Sequence, residues 1–326
     1  MKIKRVGFGG IPIQRITQED TNKVIDELEK CGVNFIDTAR GYTVSEEYLG
    51  NALKGRREKF YIATKSMSRD YESMKRDIEI SLKNLQTDYI DLYQMHNVKP
   101  AEYDTLFGED KAYRALLEAK EQGKIKHIGI TSHGLETVEK AVESDKFETI
   151  QFPYNIVENQ ADEVFKRAYE KGVGTIVMKP LAGGAIDDGT LAMKYLLSRE
   201  YIDVAIPGMD SPQQVIENTD VLQNYELTEE DNKKIAKIKS ELGTNFCRRC
   251  EYCLPCPKGI NIPQNFLLEG YYNRYNLKDW AVDRYRGLAE NERASNCIEC
   301  GACQKKCPYE LPIIDMLKKV VDTLEK

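Results

Sequence analysis

From about residue 33 to residue 220, short β-rich runs alternate with longer stretches of helical period. With an early run near Val6–Gly9 there are eight, and the others read VNFIDTA, KFYIATK, YIDLYQMH, IKHIGITS, TIQFPYN, GTIVMKP and YIDVAIPG. The segments between them, such as DYESMKRDIEISLKNL and ADEVFKRAYEKG, place apolar residues at helical spacing. Eight strand–helix units in about 240 residues favour a closed (β/α)8 barrel. A doubly wound sheet is the alternative, but GFGGIP lacks its G-x-G-x-x-G spacing.

Helix starts and a change in composition set the expected boundaries. Thr17 precedes Asp20 with capping-box spacing, and Ser211 precedes Pro212 at a first helical position. After TEEDNKKIAKIKSELG, which we expect to be the last barrel helix, cysteine, proline and tyrosine become frequent. We therefore expect the barrel over residues 1–243 and a small α-rich ferredoxin-like domain over residues 244–326, with the boundary at Gly243–Thr244.

Charge and hydropathy exclude some classes of function. The chain has 326 residues, a formal net charge of −6 and 41% hydrophobic residues. It has no long basic run of the kind that binds nucleic acid, and no run of about 18 apolar residues that would span a membrane. The start MKIKRVGFGGIPIQ does not resemble a signal peptide. We expect a cytoplasmic protein that binds neither nucleic acid nor membranes.

Eight of the nine cysteines are clustered near the end of the chain. They form the motifs CRRCEYCLPCP and CIECGACQKKCP, and the second has the C-x2-C-x2-C-x3-C-P spacing of bacterial ferredoxins. Zinc sites and disulfides are the alternatives, but two sets of four with a trailing proline favour two [4Fe–4S] clusters. In such motifs the fourth cysteine serves the other cluster. The expected ligands are Cys247, Cys250, Cys253, Cys256, Cys297, Cys300, Cys303 and Cys307.

Four polar residues stand at or just after strand ends, where barrel enzymes carry their chemistry. Asp37 ends NFID, Tyr42 follows in the next loop, Lys65 ends YIATK and His96 ends DLYQMH. A lysine ammonium favours a phenolate and so lowers the pKa of a nearby tyrosine, while a carboxylate can balance the buried lysine. His96 could orient a carbonyl oxygen. The four side chains predict a proton-donating site.

At these residues the chain resembles the aldo-keto reductases, which are NAD(P)H-dependent barrel enzymes. NFIDTARGY, IATK and His96 match the family's tetrad in order. The resemblance implies that Tyr42 is the general acid, Lys65 its pKa-lowering partner, Asp37 the holder of Lys65 and His96 the carbonyl-orienting group. With the cysteine motifs, the chain resembles a subgroup that carries a C-terminal ferredoxin-like domain.

The same resemblance implies cofactor contacts. The nicotinamide amide would be held by Ser132, His133 and Gln151, although the family more often has Asn at the position of His133. Met178 stands where the family usually has an aromatic residue that stacks on the nicotinamide. Other expected cofactor-binding residues are Gly9, Gly10, Lys179, Pro180, Leu181, Gly183, Gly184, Gly208, Gln214, Glu217 and Asn218. NADPH-preferring members have Lys and Ser where this chain has Gly208 and Met209, and Arg where it has Gln214. NAD(H) and NADP(H) therefore both stay open, with no strong preference for NADPH expected.

Three functions fit the motifs. The first is a nicotinamide-dependent reductase of a small carbonyl substrate with a fused electron-transfer domain. The second is an electron-transfer enzyme that exchanges electrons with a ferredoxin or another redox protein, through FMN or directly from cluster to substrate. The third is a non-catalytic redox sensor, which the intact tetrad disfavours. The tyrosine-rich stretch GYYNRYNLKDWAVDRYRGL is expected to be helical, either lining the substrate pocket or packing within its own domain.

Overall fold

The computed structural model describes residues 1–242, 246–249, 253–273, 277–307 and 309–326. Its backbone divides into two compact units, one of Met1–Pro180 with Asp188–Thr228, the other of Leu181–Asp187 with Glu229–Lys326. The boundary expected at Gly243–Thr244 lies outside the described residues. The helix expected to end the barrel, Glu229–Leu242, groups with the second unit.

The first unit is built on a parallel sheet whose described strands follow one another in chain order. They are β1 Phe8–Gly9, β2 Phe35–Asp37, β3 Tyr61–Ser66, β4 Ile90–Met95, β5 Ile125–Thr131, β6 Thr149–Pro153, β7 Gly174–Met178 and β8 Val204–Ile206. Backbone hydrogen bonds from Gly7 N to Ala205 O (2.8 Å) and from Gly9 N to Pro207 O (2.9 Å) join the first strand region to the last. These bonds close the barrel that the alternating pattern predicts.

Helices follow the strands of this unit in the described residues. They are α1 Gln18–Lys30, α2 Ser45–Ala52, α3 Tyr71–Leu85, α4 Ala112–Glu121, α5 Leu135–Glu143, α6 Asp162–Glu170, α7 Gly189–Leu197 and α8 Pro212–Asp220. The expected helix starts are confirmed: the Thr17 hydroxyl accepts from Asp20 N (3.1 Å), and Ser211 caps α8 with Pro212 in its first turn. Such caps satisfy backbone N–H groups that have no partner within the helix.

The barrel interior changes from apolar to polar along the strands. One buried cluster consists of Phe35, Ala63, Leu92, Ile176, Val204 and Ile206. Because side chains two apart on a strand point to the same side, Asp37, Lys65 and Gln94 continue the rows begun by Phe35, Ala63 and Leu92. The carboxyl ends of β2, β3 and β4 therefore present charged and polar groups above an apolar core.

The second unit contains the helices α9 Glu229–Leu242, α10 Ile262–Asn273, α11 Lys278–Arg286, α12 Ala302–Lys306 and α13 Ile313–Leu324. The tyrosine-rich stretch supplies the end of α10 and all of α11, and Ala281 and Tyr285 are buried in this unit's own core. Within the described part of the chain, no helix has the length and apolar character needed to cross a membrane.

Candidate active site

A buried ion pair lies at the centre of the barrel site. Lys65 Nζ donates to Asp37 Oδ1 over 2.6 Å and to Thr38 O over 2.7 Å. The side chains of Lys65 and Asp37 are only 2% and 3% exposed. β2 and β3 position the pair, because Asp37 pairs with Ala63, two residues before Lys65. Burial raises the pKa of Asp37 and lowers that of Lys65, while the contact between them opposes both shifts.

Tyr42 and His96 stand beside this pair. Lys65 Nζ lies 4.8 Å from the centroid of the Tyr42 ring, and the Tyr42 and His96 rings meet edge-on with centroids 5.9 Å apart. Burial, followed by the charges of Lys65 and Arg69, lowers the pKa of His96 well below its ordinary value. His96 Nδ1 is buried and has no hydrogen-bond partner among the described residues. The four residues of the predicted tetrad thus come together, with a neutral imidazole next to the phenol.

Two glutamines hold the carboxylate of the pair. Gln94 Nε2 donates to Asp37 Oδ2 over 3.2 Å, and Gln151 Nε2 approaches Asp37 Oδ1 at 3.5 Å. Gln94 is not among the residues that the sequence motifs predict for this site. A usable signal was present, since Gln94 is a polar residue within the apolar strand DLYQM and shares the face of Leu92.

The residues expected at the nicotinamide have different local roles. Gln151 Oε1 is buried without a partner in the described residues, so an acceptor is available for an amide N–H. Ser132 donates to Val98 O over 2.6 Å and accepts from Gly134 N, which engages its hydroxyl in a turn. His133 Nδ1 lies 2.8 Å from the side-chain oxygen of Asn97. Met178 is half-buried at the end of β7. Gln151 therefore presents a buried acceptor, and its expected contact with a nicotinamide amide stays a prediction.

The glycines of the first strand allow close approach of backbones. A Cβ on Gly9 would lie 2.8 Å from Ile206 O, and one on Gly10 would lie 2.8 Å from Asp37 O. A Cβ on Gly208 would lie 2.9 Å from Pro12 Cγ. These contacts explain the three glycines by close packing, at the barrel seam for Gly9 and Gly208 and against β2 for Gly10. Their expected contact with a cofactor stays a prediction.

The segment expected to face the pyrophosphate has an unusual backbone. Lys179 has a φ of 57°, and Ala182, Gly183 and Gly184 have φ values of 50°, 68° and 77°. Left-handed residues in a turn can direct successive N–H groups towards an anion. Pro180 and Leu181 lie within the same turn, in which Gly184 N donates to Leu181 O over 2.9 Å.

The residues expected at adenine and its ribose lie on or before α8. Asn218 Oδ1 is buried with no partner among the described residues, whereas Glu217 is exposed and accepts from Gln213. Gln214 Oε1 accepts from Asp210 N over 2.8 Å, and the Asp210 carboxylate pairs with Arg15. Asn218 thus offers an acceptor of the kind that an adenine amino group needs.

The described cysteines of the second unit line two cavities. Cys256, Cys297, Cys300 and Cys303 surround one of them. Cys247, Cys253 and Cys307 surround the other, and Cys250 lies outside the described residues. Glu299 and Gly301 have φ values of 54° and 74°, which let the chain wrap between successive cysteines. Among the described residues, no three His, Cys, Asp or Glu side chains form a group suited to a single metal ion.

Comparison with known proteins gives both regions a context. Residues 5–190 match the model described as "Aldo/keto reductase family", and residues 246–312 match that described as "4Fe-4S dicluster domain". L-galactose dehydrogenase of Arabidopsis thaliana is 25% identical over 293 residues, or 74% of this chain and 91% of that protein. Methylglyoxal reductase DkgA of Escherichia coli (strain K12) is 29% identical over 251 residues, or 70% and 88%. The holo form of aldo-keto reductase AKR11C1 from Bacillus halodurans has a TM-score of 0.64 and 26% identity, covering 72% of this chain and 92% of its own.

Proposed function

Because the chain belongs to the aldo/keto reductase family and carries a 4Fe–4S domain, we propose that it reduces a small carbonyl substrate with NAD(P)H and that Tyr42 donates the proton. Two of its relatives are named for methylglyoxal and L-galactose. These names favour small polar carbonyl compounds as the substrate class.

The observation that carries this proposal is the buried Lys65 between Asp37 and the Tyr42 ring. The Lys65 ammonium, 4.8 Å from the ring centroid, would stabilise the negative charge that develops on Tyr42 as it gives up its proton. Asp37, held by Gln94, keeps Lys65 in place. Neutral His96 can donate one N–H to the carbonyl oxygen, which then takes the proton of Tyr42.

Bound NAD(P)H would supply the hydride for the carbonyl carbon. The acceptor atoms Gln151 Oε1 and Asn218 Oδ1, both buried without partners in the described residues, support binding of the amide at one end of the cofactor and adenine at the other. Gly208 and Gln214 offer no cation to a 2′-phosphate, and the nearby Arg15 is paired with the Asp210 carboxylate. These features favour NADH, or no strong preference.

For the second unit we propose two [4Fe–4S] clusters with crossed ligation. Cys256 would serve the cluster of Cys297, Cys300 and Cys303, whose side chains line the same cavity. Cys307 would join Cys247, Cys253 and Cys250. Bound clusters would pass single electrons. A structure of the loaded protein in which Cys256 binds the cluster of Cys247 would contradict this assignment.

The match to a 4Fe–4S dicluster domain supports electron exchange with a ferredoxin or another redox protein as a second role of this unit. Hydride transfer moves two electrons at once, whereas a cluster moves one, so a flavin such as FMN is the usual adapter between nicotinamide and a cluster. Because this mismatch disfavours direct exchange between nicotinamide and the clusters, we propose that the barrel reduces its substrate by hydride transfer, independently of the clusters.

The test of the acid is Tyr42→Phe in the anaerobically prepared protein with its clusters in place. The variant should lose roughly 100-fold or more of carbonyl reduction, as expected for a positioned acid, with a nearly unchanged dissociation constant for NADH. Tyr113→Phe is the matched control, because Tyr113 is also partly exposed and its hydroxyl bonds only to Lys146 O among the contacts described. Near wild-type reduction by Tyr42→Phe would show that Tyr42 is not the acid.

A further inference from the structure

The loop that carries Tyr42 is anchored by the side chain of Arg40. Tyr42 lies between β2 and α2, and its N–H donates to Ala39 O over 3.0 Å. Arg40, two residues earlier, donates its backbone N–H to Lys65 O over 3.0 Å. Its Nη1 lies 2.7 Å from Glu46 Oε2. The loop with the proposed acid is thus tied both to the strand that carries Lys65 and to the start of α2.

Glu46 is a buried carboxylate that joins three elements. It is 1% exposed, although it lies in the first turn of a surface helix of the barrel. Its Oε1 accepts from Thr64 Oγ1 on β3 and from Ser81 Oγ on α3, both over 2.8 Å, and Asn84 Nδ2 approaches Oε2 at 3.3 Å. A buried charge with so many donors is held in one place.

The Glu46 network holds β3 on the side opposite the active site. Thr64 and Ser66 alternate with Lys65 along the strand, so they point away from the barrel interior. Thr64 bonds to Glu46, and Ser66 bonds to Asp77, whose Oδ1 lies 3.8 Å from Arg40 Nε. Burial lowers the pKa of Lys65, and the contact with Asp37, followed by the charge of Glu46, opposes this shift. The network acts on the strand of Lys65 through Thr64 and Ser66, the residues on either side of it.

We propose that Arg40 is a positioning residue of the barrel site: through its pair with Glu46 it fixes the loop of Tyr42 against the strand of Lys65. The inference rests on the proposed role of Tyr42 as the acid. A displacement of about 1 Å at the reacting group can cost about 100-fold in rate, so loss of this anchor should appear in kcat.

The test is a double-mutant cycle in the loaded protein, with Arg40→Met and Tyr42→Phe alone and combined. Arg40→Met should lower kcat by about 10- to 100-fold and leave the KM for NADH nearly unchanged. In the Tyr42→Phe background the same change should cost less than about 3-fold, because the group that Arg40 positions is already absent. Arg40→Lys should recover part of the lost rate.

The matched control is Arg56→Met. Arg56 is exposed to a similar degree, 20% against 23%, and it pairs with Asp26 and Glu29 beyond the other end of α2. Arg56→Met should leave kcat near the wild-type value. If Arg40→Met prevents folding, Glu46→Gln, which keeps the shape of the carboxylate, replaces it in the cycle with the same expectations.

The outcomes separate this inference from the proposed function. Wild-type activity of Tyr42→Phe would overturn the function and the inference together. An inactive Tyr42→Phe with an unaffected Arg40→Met would overturn the inference alone. Equal losses from Arg40→Met in both backgrounds would also overturn it, because the loss would then not depend on Tyr42.

Discussion

In the barrel, Asp37, Tyr42, Lys65 and His96 come from separate strands and loops, and the sheet holds them against one another through a buried ion pair. In the second unit, the described cysteines come from two short motifs and line two cavities. The barrel site is organised by protein contacts. The cysteine sites, as we propose, are organised around clusters that the protein binds. The two regions should therefore respond in opposite ways to loss of metal and to loss of buried charge.

The largest expected effect is the loss of the clusters. Removal of iron from the anaerobic protein should unfold much of the second unit and leave the barrel folded, because in small metal domains a binding free energy of about 10 kcal/mol or more becomes folding free energy. Hydrogen exchange should show rapid exchange in α10 and α13 and continued protection in β3 and β4.

Cys303→Ser should have the same effect on the second unit as removal of iron. Cys31→Ser is its control, because Cys31 stands apart from the two motifs. This substitution should leave hydrogen exchange in α10 and α13 unchanged. Protection that persists in α10 and α13 after the clusters are gone would show that the cavities are held by protein packing alone.

The next effect concerns the buried pair. Lys65→Met leaves Asp37 as a buried charge, and should lower the free energy of unfolding of the barrel by about 3–5 kcal/mol. Lys23→Met removes a lysine with two carboxylate partners at the surface and should change the free energy of unfolding little. Denaturant unfolding, followed by a spectroscopic signal from the barrel, measures this free energy for both variants. Equal effects from the two variants would mean that the pair does not organise the site.

A smaller effect is expected from pH. Burial keeps the pKa of His96 well below its ordinary value, so the folded barrel leaves it neutral while the unfolded chain binds a proton below about pH 6.5. The free energy of unfolding should therefore fall as the pH falls below 6.5, by up to about 1.4 kcal/mol per pH unit for this group.

Comparison of wild type with His96→Gln at pH 7.5 and pH 5.5 isolates this contribution. The variant should lose less stability on acidification than the wild type. All three histidines of the chain lie before residue 134, so the second unit cannot share this dependence. An identical fall in both proteins would show that His96 is protonated in the folded state.

The smallest effect concerns the choice of cofactor. NADPH should bind no more than about 10-fold more tightly than NADH, because Gly208 and Gln214 provide no cation. Gln214→Arg should improve NADPH binding by roughly 10-fold, the worth of one charge-assisted contact. Wild-type binding that favours NADPH by 100-fold would mean that another cation, such as Lys179 or Arg15, meets the 2′-phosphate.

The sequence predicted the parts of the site that depend on strand ends. The period of the apolar residues places Asp37, Lys65 and His96 at carboxyl ends, and a parallel barrel brings those ends together. It did not predict Gln94, whose partner Asp37 is 57 positions away in the chain. Nor did it single out Glu46, because a glutamate in a first helical turn is typical of an exposed position and its burial depends on α3 packing beside α2.

The cysteine motifs predicted their grouping for a different reason. Ligand spacing is local, so Cys297, Cys300 and Cys303 can be assigned together without knowledge of the fold. The turn of residues 179–184 shows the opposite case, since φ values of 50° and 57° at Ala182 and Lys179 are not encoded by residue type. The sequence was sufficient to predict geometry that follows from short ligand spacing or from the strand period. It was not sufficient to predict geometry that follows from packing between helices.

We propose that the barrel reduces its substrate by direct hydride transfer, without passage of electrons through the cysteine unit. The most direct measurement uses NADH deuterated at the transferring C4 position, an aldehyde substrate and the anaerobic protein with its clusters, followed by mass spectrometry of the alcohol. We expect one deuterium on the former carbonyl carbon of nearly every product molecule, in a reaction that Tyr42→Phe suppresses. Product that lacks deuterium while NADH is consumed would contradict it, since the electrons would then have reached the substrate by another route.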